Sequence, residues 1–355
     1  MFHRILGKHL RNPSTGLDAP VAGDGRTTAA RSGRVGFLLS SRPPGFGRRL
    51  GQAAELLRQS PEFRASIADC DTVIREWFGW SLERLLLECP LDADLPPAED
   101  RIEPTLTAIQ IATTDLLESM GVVPEGMLAI SGGEYAAGYV SRATTRTEAM
   151  EVACSFGRVQ QSHSFDDGIM LMVQTPAAEL QAMLEETPGP AHLACDFDPD
   201  SSCVSIMLSH LDTLRRRLDA RSIPSTQTKL GPFHSPLVSP WAAPMIQTAE
   251  RLGIRVASRP LYSSIPGGRI ETLETGHWVA TFTRVALFRQ AATAMLMDGF
   301  DTIINVNLTN NLCNAVDRIA AVTGRTVRVL PAFADGPPLE NLHALRDALG
   351  RTLRS

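Results

Sequence analysis

Gly126-Met-Leu-Ala-Ile-Ser-Gly-Gly-Glu-Tyr-Ala-Ala-Gly-Tyr-Val140 is the stretch that decides the fold of this 355-residue chain. Its first five residues are an apolar run with the length of a buried strand, and Glu134–Val140 has a helical pattern. Between them, Ser131-Gly-Gly133 permits a tight turn that presents the serine hydroxyl outward, the arrangement known as a nucleophile elbow. The next backbone N–H and the helix N-terminus then face any negative charge that develops there. The turn alone is equally compatible with a helix start without chemistry, because Ala129 stands where the usual pattern has glycine.

The composition indicates a globular protein with balanced charge. Apolar residues make up 43% of the chain, enough for a large core, and the formal net charge of −5 argues against duplex binding. Six scattered cysteines form no C-x-x-C pair, so we expect neither a metal site nor a disulfide framework. No apolar run approaches the roughly 18 residues of a membrane helix, and residues 1–12 are a poor secretory signal. We therefore expect a cytoplasmic protein with no membrane or nucleic-acid partner.

The patterns around the elbow predict an α/β chain with an insertion. Residues 1–33 are rich in Gly, Thr, Ala and Arg without periodicity, so we expect a mobile N-terminal extension. Residues 167–231 predict the order β-α-β-β-α-β, which is the ferredoxin-like arrangement. Its predicted elements are Gly168–Thr175, Pro176–Glu186, Ala191–Asp196, Cys203–Leu208, Leu211–Arg221 and Ser225–Leu230.

The flanking regions also carry helix and strand signals. The first strand is predicted at Arg34–Leu39, and Ser60-Pro61 predicts an N-cap and first helical residue for a helix over 61–76. Further predictions are a buried helix over 104–119 that begins at Pro104, an extended segment Arg259–Ile265, a helix over 284–298, a strand Thr302–Val306 and a C-terminal helix from about residue 338.

A serine needs a base to be nucleophilic at neutral pH. Of the eight histidines, His234 in Gly231-Pro-Phe-His-Ser-Pro236 follows the insertion directly, where the chain re-enters the main sheet. A lone histidine is more often structural than catalytic, so this spacing by itself leaves the question open.

At these residues the chain resembles the malonyl-CoA:acyl carrier protein transacylases and the acyltransferase domains of polyketide synthases. The motifs that carry the resemblance are Glu103-Pro-Thr-Leu106 for Q-P-A-L, Ser131-Gly-Gly-Glu-Tyr-Ala-Ala137 for S-L-G-E-Y-A-A, Phe233-His-Ser-Pro236 for F-H-S-P, His277-Trp-Val279 for Y-W-V and Ile304-Asn-Val306 for E-V-G-P. They are in family order and lie within residues 34–335.

The resemblance implies an α/β-hydrolase-like large subdomain, residues 34–166 and 232–355, with an inserted ferredoxin-like small subdomain, residues 167–231. It also implies Ser131 as the nucleophile and His234 as its base, with the Gly132 N–H stabilising the oxyanion. The implied substrate is a phosphopantetheine-linked acyl thioester, the implied partner is an acyl carrier protein, and no bound cofactor is expected.

One departure from the family bears on the acyl group. The family has an arginine in R-G-x-x-M-Q that pairs with a free carboxylate, and Phe156-Gly-Arg-Val-Gln-Gln161 places Phe156 at that position. A guanidinium clamp is the main way to select a carboxylate, whereas a phenyl ring favours an apolar acyl tail. The alternative is a shifted register, in which Arg158 is the clamp.

Other departures reshape the site. Ile130 replaces the family's histidine before the serine, and the G-Q-G loop is shortened to Ser40-Ser41, so that Ser41 is the candidate second oxyanion donor. Thr281 replaces the residue whose backbone carbonyl orients the histidine, and Asn307 stands at the family's Gly-Pro without an evident role. The residues expected at the acyl group are Phe156, Ile130, Phe233 and Thr281.

These features favour a transferase that moves a non-carboxylated acyl group, of starter or aminoacyl type, to or between acyl carrier proteins in natural-product biosynthesis. Three alternatives stay open: a hydrolase that removes acyl groups from carriers, a non-catalytic carrier-binding homologue, and ordinary malonyl transfer. Because carrier proteins are acidic, we expect a basic docking face, and the candidates are Arg215, Arg216 and Arg217. A solvated helix face explains these arginines equally well.

Overall fold

The computed structural model describes residues 33–41, 49–88, 98–186 and 189–352. Apart from Gly33, the predicted N-terminal extension lies outside the described residues. The described strands are β1 (Arg34–Ser40), β2 (Gly126–Ile130), β3 (Gly168–Val173), β4 (Ala191–Asp198), β5 (Ser201–Met207), β6 (Ser225–Gln227), β7 (Arg255–Ser263), β8 (Gly268–Leu273), β9 (Phe300–Asn305) and β10 (Arg328–Pro331).

The α-helices of the described residues are α1 (Leu50–Gln59), α2 (Pro61–Phe78), α3 (Leu82–Glu88), α4 (Glu99–Ser119), α5 (Gly133–Val140), α6 (Arg146–Ser162), α7 (Ala177–Glu185), α8 (Leu208–Ala220), α9 (Ala243–Leu252), α10 (His277–Thr283), α11 (Phe288–Met297), α12 (Cys313–Thr323) and α13 (Pro338–Thr352). A 3-10 helix spans Pro236–Trp241. None of the described helices is long and apolar enough to cross a membrane.

A six-stranded sheet organises the larger part of the chain. Its order is β10-β9-β1-β2-β7-β8, with β8 antiparallel to β7 and every other pair parallel. The central strands are apolar on both faces: Phe37–Leu39 and Met127–Ile130 are buried, as expected where helices cover both sides of a parallel sheet. This arrangement is the α/β class that the sequence predicts.

A second, four-stranded sheet is built from the inserted residues. Its order is β4-β5-β3-β6 and all pairs are antiparallel. With α7 after β3 and α8 after β5, this is the strand order of a ferredoxin-like β-α-β-β-α-β unit. It has a core of its own, in which Leu171, Leu180 and Leu218 are fully buried. The exact limits of the two subdomains stay predictions.

The smaller sheet contacts the larger part of the chain through β4. Ala286 forms an isolated backbone bridge with Cys195, in which the Asp196 N–H donates to the Ala286 carbonyl at 2.9 Å. The buried Asp196 carboxylate accepts three hydrogen bonds from Arg289, at 2.9, 3.1 and 2.8 Å, and Asp198 pairs with Arg318. These contacts hold the start of α11 and the helix α12 against β4.

The structure corrects two helix limits. The helix predicted to begin at Pro104 begins at Glu99, with the proline inside it. A proline removes one intrahelical hydrogen bond, and burial of this helix between α2 and α6 outweighs that loss. The helix predicted from residue 284 begins at Phe288, because Arg284 is extended and Ala286 pairs with β4.

The start of α2 was predicted correctly from the local sequence. The predicted N-cap of α2 is confirmed, since the Ser60 hydroxyl accepts from the Phe63 N–H at 3.1 Å and Pro61 is the first helical residue. The strands β8 and β10 and the helices α3, α6, α9, α10 and α12 were not predicted.

Candidate active site

Ser131 lies at the turn between β2 and α5 in a left-handed backbone conformation, with φ of 57°. This conformation is unfavourable for a residue with a Cβ, so the surrounding structure must hold it. The Glu134 N–H donates to the Ser131 carbonyl at 3.0 Å and closes the turn. Gly133 packs so closely on β1 that a Cβ there would overlap the Leu39 backbone. The second glycine of the motif therefore lets the elbow approach the sheet.

Gly132 packs against Ser41, which follows β1, and against Glu103 of α4. A Cβ at Gly132 would overlap the Glu103 carboxylate and lie 3.0 Å from the Ser41 hydroxyl oxygen. That hydroxyl donates a hydrogen bond to Glu103. Ser41, the predicted second oxyanion donor, thus lies beside Gly132, the predicted first one.

His234 is in hydrogen-bond contact with Ser131. The distance from His234 Nε2 to Ser131 Oγ is 3.0 Å, and that from Nδ1 to the Arg284 carbonyl is 3.2 Å. Because a carbonyl only accepts, Nδ1 carries the proton and Nε2 presents its lone pair to the serine hydroxyl. His234 also has a φ of 57°, and its N–H donates to the Phe282 carbonyl at 2.6 Å. Both members of the pair are held in unfavourable conformations, as often happens at functional sites.

The prediction that Thr281 supplies the orienting carbonyl is wrong, because that carbonyl belongs to Arg284. Thr281 lies inside α10, where its hydroxyl contacts the Tyr135 hydroxyl at 3.2 Å and donates to Trp278. Arg284 caps this helix in an extended conformation. A carbonyl inside a helix is directed along the helix axis, whereas the extended Arg284 can turn its carbonyl toward the histidine.

Burial lowers the pKa of His234 from its usual 6.5 to about 4, and the hydrogen bond to the Arg284 carbonyl opposes this shift in part. Removing the imidazolium from water disfavours the charged form. The neutral imidazole, which can accept a proton from Ser131, is therefore the form present at neutral pH.

We expect the rate of Ser131 acylation to stay constant from pH 8 down to about pH 5 and to fall only as pH approaches the His234 pKa of about 4. Protonation of Nε2 removes the base, so the rate falls as pH falls. Rapid-quench measurements of the acylation rate across pH 3.5–8, with the acyl-enzyme detected by intact mass, measure this fall. A midpoint near 6.5 would contradict the prediction.

Thermal melts at each pH serve as the control. The unfolded state binds a proton at His234 near pH 6.5, before the folded state does, so this residue lowers stability progressively as pH falls from about 6.5 to 4. Only rates measured below the melting temperature report on the base.

Phe156 belongs to an aromatic cluster beside the catalytic pair. Its ring centroid lies 5.7 Å from that of Phe233, 5.2 Å from that of Phe282 and 6.2 Å from that of Tyr135. Phe233 immediately precedes His234. Arg158 lies elsewhere, with its guanidinium 4.8 Å from the Trp77 ring centroid and bonded to the Trp77 carbonyl at 3.2 Å.

The remaining predicted residues are dispersed. Ile130 is buried at the end of β2, directly before the nucleophile. On α8, Arg215 bonds to Gln227 at 2.7 Å and Arg217 lies 3.6 Å from Glu186, while Arg216 is exposed. Consecutive helix residues point about 100° apart, so the three arginines do not share one face.

The sequence reasoning missed the polar support under the elbow. The buried Glu134 carboxylate accepts from the Ser263 hydroxyl at 2.8 Å and the Ser264 N–H at 3.0 Å, and lies 3.4 Å from His277 Nε2. The only signal was the charged Glu134 inside an apolar motif. Among the described residues, no cluster of His, Cys, Asp and Glu is suited to a metal ion.

The sequence is similar to that of known acyl transferase domains. The family model "Acyl transferase domain" matches residues 48–352. The chain is 28% identical over 330 residues to erythronolide synthase EryA2 of Saccharopolyspora erythraea, covering 90% of this chain and 9% of that protein. It is 27% identical over 289 residues to the pikromycin polyketide synthase component PikAIII of Streptomyces venezuelae, covering 79% and 18%. The chain thus spans less than a fifth of these curated relatives.

Solved structures share the fold. A loading acyltransferase from the avermectin modular polyketide synthase aligns with a TM-score of 0.75 at 26% identity, covering 89% of this chain and 99% of that one. The malonyl CoA-acyl carrier protein transacylase of Coxiella burnetii aligns with a TM-score of 0.76 at 18% identity, covering 91% and 99%. With a serine elbow, a bonded histidine and a family match over most of its length, the chain belongs to the acyl transferase domain family.

Proposed function

We propose that this protein transfers an acyl group without a free carboxylate to or between acyl carrier proteins, through an acyl-serine intermediate, in polyketide or related natural-product biosynthesis. The observation that carries the acyl-group assignment is the position of Phe156 in the aromatic cluster next to His234. A carboxylate among these rings would lose its hydration without gaining a cationic partner. Arg158 is directed to Trp77 instead.

The first half-reaction acylates the serine. Ser131 Oγ attacks the thioester carbonyl while its proton moves to His234 Nε2, and the Gly132 and Ser41 N–H groups stabilise the resulting oxyanion. The tetrahedral intermediate collapses, the C–S bond breaks, and His234 returns the proton to the leaving sulfur. The Arg284 carbonyl holds the imidazole in its orientation at both stages.

The second half-reaction uses the same groups in reverse. The thiol of a carrier's phosphopantetheine arm gives its proton to His234 and attacks the acyl-serine carbonyl. The Ser131–carbonyl bond breaks and the proton returns to the serine oxygen, so the acyl group leaves on the carrier.

A groove beside His234 supports a carrier-bound arm as substrate. It encloses about 500 Å³ and runs from His234 and Arg284 to α7 and β4 of the small subdomain. The exposed Arg284 and the half-buried His192 line it. An elongated arm placed in this groove reaches His234, and Arg284 offers a cation to its phosphate. Of the arginines 215–217, the exposed Arg216 remains the proposed contact for an acidic carrier, because Arg215 and Arg217 bond to Gln227 and Glu186.

The names of two proteins that share the fold bear on the carrier and acyl assignments. The avermectin protein is a loading acyltransferase of a modular polyketide synthase, and the Coxiella burnetii protein is a malonyl CoA-acyl carrier protein transacylase. The contact between Ser131 and His234 argues against a non-catalytic homologue.

The dependence of the acyl-release rate on a thiol acceptor distinguishes a transferase from a hydrolase. We expect a burst of acyl-enzyme followed by slow turnover in water, and release faster by more than about a hundredfold, or ~2.7 kcal/mol, when a carrier with a free phosphopantetheine thiol is added. Quenched-flow intact mass of the protein measures both phases. Rapid release without an acceptor, unchanged by the carrier, would make the protein a hydrolase.

A carrier whose phosphopantetheine serine is replaced by alanine is the matched control, because it docks without offering a thiol. Acceleration by this carrier would assign the effect to docking rather than to transfer.

A further inference from the structure

Two buried amides, Gln110 on α4 and Asn307 after β9, hold the end of β1. Gln110 Nε2 donates to the Ser40 carbonyl at 2.5 Å and to Asn307 Oδ1 at 2.7 Å. Asn307 Oδ1 also accepts from the Ser40 N–H at 2.8 Å, and its Nδ2 donates to the Leu38 carbonyl at 3.2 Å. Because a backbone N–H only donates and a carbonyl only accepts, these contacts determine the orientation of both amides. Both polar backbone groups of Ser40 are therefore held by side chains that are distant in sequence.

The direction of the next N–H follows from the strand geometry. The Leu38 carbonyl accepts from the Val306 N–H at 3.2 Å, so Leu38 and Ser40 turn their polar groups toward the β9 side. Polar groups of successive strand residues alternate between the two neighbouring strands. The Ser41 N–H then faces the β2 side, where Ser131 follows β2. In a trans peptide the Ser40 carbonyl and the Ser41 N–H point in opposite directions, which leads to the same placement.

We propose that Gln110 and Asn307 are positioning residues that aim the Ser41 N–H into the oxyanion site formed with Gly132. This inference rests on the proposed acyl-serine mechanism. A donor held in place before the reaction stabilises the developing oxyanion without reorganising. The hydrogen bond from Gln110 to the Ser40 carbonyl also polarises the peptide that carries the Ser41 N–H.

The proposal gives a role to Asn307, for which the sequence indicated none. The acyltransferase family has Gly-Pro at the position of Asn307, and its G-Q-G loop is longer than Ser40-Ser41. Here the Asn307 side chain contacts the end of β1 directly. The amide holds the backbone at Ser40, where the resemblance places the family's G-Q-G loop.

The test uses Gln110→Met and Asn307→Leu, which keep side-chain size and remove the hydrogen bonds to Ser40. Thr113→Val is the matched control, because Thr113 is buried on the same helix as Gln110 and its hydroxyl donates to the Ile109 carbonyl of that helix. We expect acylation by a neutral acyl thioester to slow about ten- to a hundredfold in the two variants, part of the loss caused by deleting an oxyanion donor. The control is expected to keep the wild-type rate.

The deciding measurement uses an inhibitor that mimics the tetrahedral intermediate. An alkyl boronic acid forms an adduct on Ser131 that occupies the oxyanion site, so its inhibition constant is expected to rise by the same factor as acylation slows. Thioester affinity, measured with Ser131→Ala added to each variant, is expected to stay unchanged. Equal loss of thioester and boronate affinity, or unchanged acylation in folded variants, overturns the proposal.

Where Gln110→Met or Asn307→Leu does not fold, the same rates are measured with Gln110→Glu and Asn307→Asp instead. If all four variants melt below the assay temperature, the amides are needed for folding alone and the proposal is overturned. Failure of the wild-type protein to form any acyl or boronate adduct contradicts the proposed function instead, so the two failures are distinguishable.

Discussion

Ser131→Ala is expected to abolish formation of the acyl-enzyme, because no other described nucleophile contacts His234 Nε2. The substitution removes only the hydroxyl and keeps the Cβ, so the left-handed turn and the packing of Gly133 on β1 are retained. Incubation with acyl-carriers followed by intact mass measures the adduct, and a thermal melt checks the fold. An adduct of wild-type yield in the alanine variant would exclude the serine mechanism.

His234→Ala belongs to the same prediction, because it removes the base from the same pair. Acylation is expected to slow by about 10³-fold or more, the loss typical of a serine without its base. His210→Ala is the matched control, since His210 lies on α8, bonds to the neighbouring Ser209 and packs beside Gly189. Equal rates for the two histidine variants would contradict the assignment of His234.

Wild-type protein is expected to load neutral acyl groups about a hundredfold faster than malonyl groups. A malonyl carboxylate placed against Phe156 and Phe233 loses hydration without a cationic partner, which costs several kcal/mol. A penalty of only ~3 kcal/mol corresponds to about a hundredfold, at ~1.4 kcal/mol per factor of ten. Competition between malonyl and neutral acyl thioesters, with each Ser131 adduct resolved by mass, measures this preference.

Phe156→Arg is expected to recover part of the malonyl loading and to weaken loading of the native acyl group. Full recovery is not expected, because Ile130 and Ser41 also lie beside the catalytic turn. Arg158→Ala is the matched control and is expected to leave the preference unchanged, since Arg158 lies over Trp77. Equal wild-type loading of malonyl and neutral groups, or loss of malonyl loading in Arg158→Ala, would show that Phe156 does not stand at the family's arginine position.

Phe156 packs against three aromatic rings, so an arginine there also lowers stability. Phe156→Leu keeps the site apolar and perturbs the packing, and it separates the two effects. It is expected to leave the preference against malonyl in place.

The sequence by itself determined the parts of this protein that depend on local patterns. Apolar runs predicted the central strands, and the small residues after β2 predicted the elbow at Ser131. The β-α-β-β-α-β pattern predicted the strand order of the smaller sheet, and Ser60-Pro61 predicted the start of α2. Each of these signals lies within a few residues of the feature it specifies, where backbone preference and periodicity dominate.

Tertiary structure decided which backbone carbonyl orients His234 and which side chains hold the backbone at Ser40-Ser41. The Arg284 carbonyl reaches His234 because β4 pairs with Ala286 and keeps the segment before α11 extended. Gln110 and Asn307 meet at Ser40 from positions 70 and 267 residues away. Such hydrogen bonds leave no local pattern, because a carbonyl is present at every residue and a buried amide has no periodic partner. Only the folded chain brings the donor and the acceptor together, and so only the fold reveals them.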